Sequence, residues 1–200
     1  MNEKEPEDSE RQDNQEQGER ERKAQPRIYV ASLADYNEGR LYGAWIDAAQ
    51  DEGELERSVK EMLAGSTSPG AEEWAIHDYE GFGPLRLDES ESFSAVAKLA
   101  KGIAEYGPAF AAWAAHVGTD SETLDEFADA YMGEWENAVA FAEEMLDDLG
   151  HVDEIMRGVP ELLAPYVRID YEGFVRDLVT NGELATLDRP DGGIYVFRTW

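Results

Sequence analysis

The hydrophobic and polar positions of this chain switch between a two-residue and a three-to-four-residue period, and the switches mark its elements. Residues 27–33 (RIYVASL) and 41–47 (LYGAWID) are short runs rich in β-branched and aromatic residues, the composition of a pleated, half-buried strand. Between them, ADYNEGR carries Asn37 and Gly39, residues suited to a turn, so the two runs are expected to pair antiparallel. Across 51–64, Leu55, Val59, Met62 and Leu63 recur at helical spacing. After the loop GSTSPG, WAIHDYE at 74–80 reads as a third strand, stopped by Gly81, Gly83 and Pro84.

The middle of the chain is helical and rich in alanine. Ser92 or Ser94 is placed to cap a helix that buries Phe93, Val96, Leu99, Ala100 and Ile103. Gly107-Pro108 breaks it, AFAAWAAHV forms a second helix ended by Gly118, and Thr119 or Asp120 begins a third with Leu124, Phe127 and Ala128 inward. Mixed structure then returns. AYMGEW (130–135) predicts a strand, and 137–149 predicts the most regular helix, with Ala138, Phe141, Ala142, Met145, Leu146 and Leu149 on one stripe. Gly150 is its natural stop. Pro160 opens a short helix, 170–180 predicts another, and 185–197 predicts a hairpin turning at Arg189–Gly193.

This order describes an α+β protein of three small domains. An antiparallel sheet with one helix occupies 27–90, a helical domain 91–128, and a mixed C-terminal domain 129–200. Residues 1–26 hold nine acids and five bases with almost no apolar residue, and are expected to be a disordered tail.

Composition narrows the function. Across 200 residues, 45 acids stand against 17 bases, a formal net charge of −28, with no cysteine. Structural disulfides and thiolate metal sites are therefore excluded. No apolar run approaches the roughly 20 residues that span a bilayer, and MNEKEPEDSE lacks the apolar core of a signal peptide, so a cytoplasmic location is expected. The charge repels nucleic acid and favours a basic partner.

The acids are unevenly placed. From Gly102 to Met156, 55 residues contain no lysine or arginine. Besides Glu105, this window carries Asp120, Glu122, Asp125, Glu126, Asp129, Glu134, Glu136, Glu143, Glu144, Asp147, Asp148, Asp153 and Glu154. Surface helices ordinarily intersperse opposite charges for i,i+4 support; here like charges repel and a single-sign field results. On the helix at 137–149, Glu143 and Asp147, and Glu144 and Asp148, lie opposite the apolar stripe in steps of about 6 Å, like a strip of spaced anions. Duplex DNA carries one charge per roughly 1.7 Å of axis, so the net −24 of the chain after residue 26 corresponds to about 12 base pairs, or about 24 in a dimer.

No catalytic or metal motif competes with this reading. His77 and Asp78 are adjacent on a strand and point to opposite faces; His116 and His151 are isolated, and no H-E-x-x-H, Walker A, G-x-S-x-G or calcium-loop pattern occurs. No cofactor is expected. The tryptophans Trp45, Trp74, Trp113 and Trp135 are expected mostly in the core.

YVASLADYNEG at 29–39, GAW at 43–45, WAIHDYEGF at 74–82 and DYEGFVRDL at 170–178, in this order and spacing, resemble the ArdA family of antirestriction proteins. The acidic stretch ENAVAFAEEMLDDLG at 136–150 falls in the region of the family's antirestriction motif. The resemblance implies an elongated three-domain, non-enzymatic protein that mimics bent DNA and occupies the groove of the specificity and modification subunits of Type I restriction–modification enzymes, protecting incoming mobile DNA. It also implies a homodimer through the third domain, expected near Tyr131, Trp135 and Val139. The alternative from charge alone is an acidic inhibitor of another basic DNA-binding partner, such as a nucleoid protein, a toxin or a CRISPR effector.

Overall fold

A computed structural model describes residues 25–119 and 122–199; most of the expected tail, and Asp120, lie outside them. The chain forms two compact units divided after Leu124.

In the first unit, β1 (Arg27–Ser32) lies between β2 (Gly43–Asp47) and β3 (Trp74–Glu80), antiparallel to both. Ile28 and Val30 are fully buried on its inner side, as the two-residue period requires. The β1–β2 connection is more than a turn. Ser32 caps a short helix, α1 (Leu33–Asn37), by accepting a hydrogen bond from the Asp35 amide, and Gly39 at φ 79° turns the chain back. His77 is the extra residue of a bulge in β3, where pairing slips between Tyr29 and Val30.

α2 (Glu52–Ala64) buries the four residues its spacing singled out, Leu55, Val59, Met62 and Leu63. α3 (Phe93–Tyr106) is capped by Ser92, whose hydroxyl accepts from the Ala95 amide at 3.2 Å. Phe93 stacks on Trp74 at 4.2 Å, and Lys101 pairs with Asp51, so α3 joins the sheet and α2 in one unit. Pro108 opens α4 (Pro108–Val117), where a missing N–H costs nothing. The next turn corrects the expected third helix: it is 3-10 over Glu122–Glu126, and Ala128 is exposed while Ala130 is buried.

The second unit continues through α5 (Phe127–Ala130) into a sheet ordered β4 (Tyr131–Trp135), β6 (Ile194–Arg198), β5 (Leu184–Asp188), antiparallel throughout. α6 (Ala138–Asp148) and α8 (Tyr171–Thr180) supply Phe141, Ala142 and Val175 to a core shared with Leu184 and Val196. Two expectations fail here. Leu149 is 60% exposed, because the chain bends away at Gly150, φ 68°. Pro160 opens only turns, followed by a 3-10 segment at Ala164–Tyr166. One helix was not foreseen: α7 (His151–Gly158) begins directly after Gly150 and has no buried residue. The glycine that ends one helix also starts the next, and only its stop signal is visible locally. The architecture is α+β, and among the described residues no helix is long and apolar enough to cross a membrane.

Candidate partner-binding surface

α6 shows how the acidic strip is built. Asn137 caps it, accepting from the Ala140 amide at 3.0 Å. Phe141, Ala142 and Leu146 anchor one face in the core, which turns Glu143, Glu144, Asp147 and Asp148 outward, all exposed. Asp147 and Asp148 stand in the last turn with no base near them in that turn, where the helix dipole disfavours negative charge. Asp153 and Glu154 fall in the first turn of α7, where it favours them. Carboxylates thus occupy both sides of the Gly150 joint, whatever the local electrostatic cost.

The remaining described acids of the window are exposed too: Glu105 and Glu122 in the first unit, and Asp125, Glu126, Asp129, Glu134 and Glu136 in the second. Asp120 lies outside the described residues. Glu144 and Glu134 also make contacts within the second unit. Glu144 accepts a hydrogen bond from the Trp135 indole N–H at 3.1 Å. Glu134 lies 3.5 Å from Arg189, which also pairs with Asp191 at 2.8 Å and stands over the Tyr195 ring. Arg189 is thus a cation inside the acidic unit that the basic-free window, ending at Met156, did not reveal.

The residues expected at a dimer interface are largely engaged within their own unit. Tyr131 stacks on Phe127 at 5.2 Å and tilts against Phe197 at 5.4 Å; burial, with Glu134 adding to it, pushes its phenol pKa up. Trp135 meets Phe141 edge-on at 4.9 Å, and Val139 is half-buried. In the second unit, large exposed apolar side chains lie further on, among them Leu149, Ile155, Leu162, Leu163 and Tyr166, the last 81% exposed. Ile155 lies on α7, none of whose residues is buried.

The histidines sit apart: His77 meets Tyr36 edge-on, His116 lies by Trp113, and His151 is 3.9 Å from Glu154. Among the described residues no group of three or more histidines and carboxylates is placed to hold a metal ion. Trp113 is buried and donates to the Thr123 carbonyl at 3.2 Å, as core placement predicts, but Trp45 is 39% exposed. It lies on the side of β2 away from buried Ile46, where solvent reaches the sheet.

What the surface offers is distributed negative charge on a rigid helical support, suited to gripping cationic side chains. No curated protein matches the chain. The family description of antirestriction protein (ArdA) matches residues 28–190, which covers most of both described units and the whole acidic stretch of α6 and α7. The chain therefore belongs to the antirestriction protein (ArdA) family.

Proposed function

We propose that this protein inhibits Type I restriction–modification enzymes by occupying the DNA groove of their specificity and modification subunits in place of DNA, and so protects incoming mobile DNA in the cytoplasm of a new host. The observation that carries this reading is the run of exposed carboxylates on α6 and α7, with no base between Gly102 and Met156, in a chain of an antirestriction family. Carboxylates in steps of about 6 Å along a helix offer a DNA-binding groove what phosphates offer it. Inhibition then requires binding alone, with no catalytic group. We further propose that the protein acts as a homodimer joined through its second unit, which doubles the length of the decoy.

The test is competition with duplex DNA for a purified Type I enzyme at several salt concentrations, beside plating of unmodified phage on a restricting host. Affinity should fall steeply with salt, as phosphate-like contacts do. A flat salt response, or plating unaffected by the protein, rejects the decoy reading. Tight salt-sensitive binding to a different basic DNA-binding protein, with none to the Type I enzyme, assigns another partner.

A further inference from the structure

The outer face of the first sheet carries an aromatic platform that the acidic helices do not account for. Register places Tyr29 between Trp45 and Asp78, and Arg27 between Asp47 and Glu80. Since Ile28 and Val30 point into the core, these six share the opposite face. Solvent reaches it: Trp45, Arg27 and all three carboxylates are exposed. The Tyr29 and Trp45 rings stand 5.5 Å apart, tilted by 60°. Gly43 makes room for this pair, because a Cβ there would lie 3.0 Å from the tyrosine ring and 2.3 Å from the Val30 carbonyl oxygen.

The platform already holds one guanidinium. Arg27 places its Cζ 4.9 Å from the Trp45 ring centroid and its Nη2 2.6 Å from Glu80 Oε2. An aromatic face beside a carboxylate is the pairing that recognises arginine, through the ring quadrupole and a charge-assisted hydrogen bond. Asp47 and Asp78 flank the same rings, leaving more negative charge than Arg27 offsets. Exposed tryptophan and tyrosine are the residue types that dominate contact energetics in interfaces. Single-stranded nucleic acid also stacks on aromatic rings, but the surrounding carboxylates would repel its phosphates.

We infer that this face is a second docking surface, which takes arginine side chains of a basic protein partner on Trp45 and Tyr29, paired with Asp78 and Asp47. The assignment of that partner as a DNA-binding enzyme rests on the function proposed above. The inference adds a stacking contact that carboxylates alone do not supply: a plane on which a groove arginine can lie.

The test uses the full chain with hexa-arginine and hexa-lysine peptides, and separately with the purified Type I enzyme. Variants are Trp45→Leu, Trp45→Tyr and Asp78→Asn, with the strip variant Glu143→Gln/Glu144→Gln/Asp147→Asn/Asp148→Asn beside them and thermal melts to confirm folding. Trp45→Leu is expected to weaken binding of hexa-arginine and of the enzyme about twofold to thirtyfold. Trp45→Tyr should retain most of it, and hexa-lysine should respond less. If Trp45→Leu melts early, Trp45→Tyr and Asp78→Asn carry the comparison. Wild-type affinity in Trp45→Leu and Asp78→Asn, with the strip variant weakened, overturns the platform and leaves the decoy reading standing. Trp45-dependent binding of hexa-arginine without any binding of the enzyme supports the platform and rejects the decoy reading. A tenfold gain in hexa-arginine affinity on removing residues 1–24 assigns the face to the chain's own Arg20, Arg22 and Lys23, and overturns the partner assignment.

Discussion

The guanidinium of Arg40 reaches back to the carboxylate of Asp35, Nη2 standing 3.0 Å from Oδ1 of a side chain only 2% exposed. Ser66 donates to the other oxygen at 2.5 Å and Ser68 to Oδ1 at 2.8 Å, while Arg40 also pairs with Glu38 at 2.6 Å. One buried charge thus ties α1 and the following turn to the loop before β3. The cluster is structural: every contact fixes backbone around the first sheet, and a buried carboxylate so fully hydrogen-bonded is held rather than offered to a ligand.

Acid stability should report this cluster. The Ser66 hydrogen bond, helped by Ser32, Ser68 and Arg40 and opposed by burial, holds the Asp35 pKa far below the usual carboxylate range. A depressed folded-state pKa adds stability that is present above the unfolded value of about 4 and is lost as pH falls toward the folded one. Asp35→Asn should therefore melt below the wild type at pH 7, with the gap narrowing as pH drops below about 4. Melts of both proteins from pH 7 to pH 2 check it; a gap independent of pH would mean that charge at Asp35 is not the cause.

Gly102 should not accept a side chain. It is buried in α3, and a Cβ there would lie 2.3 Å from the Phe110 ring of α4, itself only 4% exposed. Alanine would favour the isolated helix by about 1 kcal/mol, but the overpacked contact costs about 1–3 kcal/mol. Gly102→Ala is expected to lower stability in urea titration, and Gly102→Ala with Phe110→Leu to recover part of it.

The acidic strip should act as a sum. Changing Glu143, Glu144, Asp147 and Asp148 together to amides leaves Phe141, Ala142 and Leu146 in the core and relieves like-charge repulsion. Each exposed pair with a partner cation contributes about 0–1 kcal/mol, so the four together should weaken binding to a Type I enzyme about fivefold to a thousandfold. Single changes should each be small. Glu144→Gln alone also alters the contact with the Trp135 indole, so its fluorescence should shift where the other three leave it unchanged. One inactive single variant among normal neighbours would indicate a catalytic carboxylate.

The proposed homodimer separates two sets of residues. Trp135→Ala removes a ring packed on Phe141 and should lower stability. Leu162→Asp with Tyr166→Asp alters side chains that contact solvent in the protomer and should lower the dimer fraction with little change in folding. Light scattering across a dilution series tests both. Loss of the dimer in Trp135→Ala, at unchanged stability, would place the interface at Tyr131, Trp135 and Val139.

Elements defined by neighbouring residues were legible in the sequence. α2 buries its four spaced residues, Ser92 caps its helix, Gly107-Pro108 separates α3 from α4, and WAIHDYE is β3 in full. Helix period, capping and glycine stops are set by groups within about four residues of one another, so the sequence carries them directly. The single-sign charge of the α6 outer face was legible for the same reason.

Tertiary structure alone decided what meets across longer separations. Arg189 neutralises part of Glu134, and Trp135 engages Glu144 because β4 and α6 share a core. Trp45 is exposed, not buried, because it lies on the outer face of its sheet, and Leu149 because Gly150 redirects the chain two residues past the end of α6. A strand shows the same alternation whichever face is covered, and a carboxylate the same formula whether or not an arginine reaches it. Only register and packing select the face and the partner.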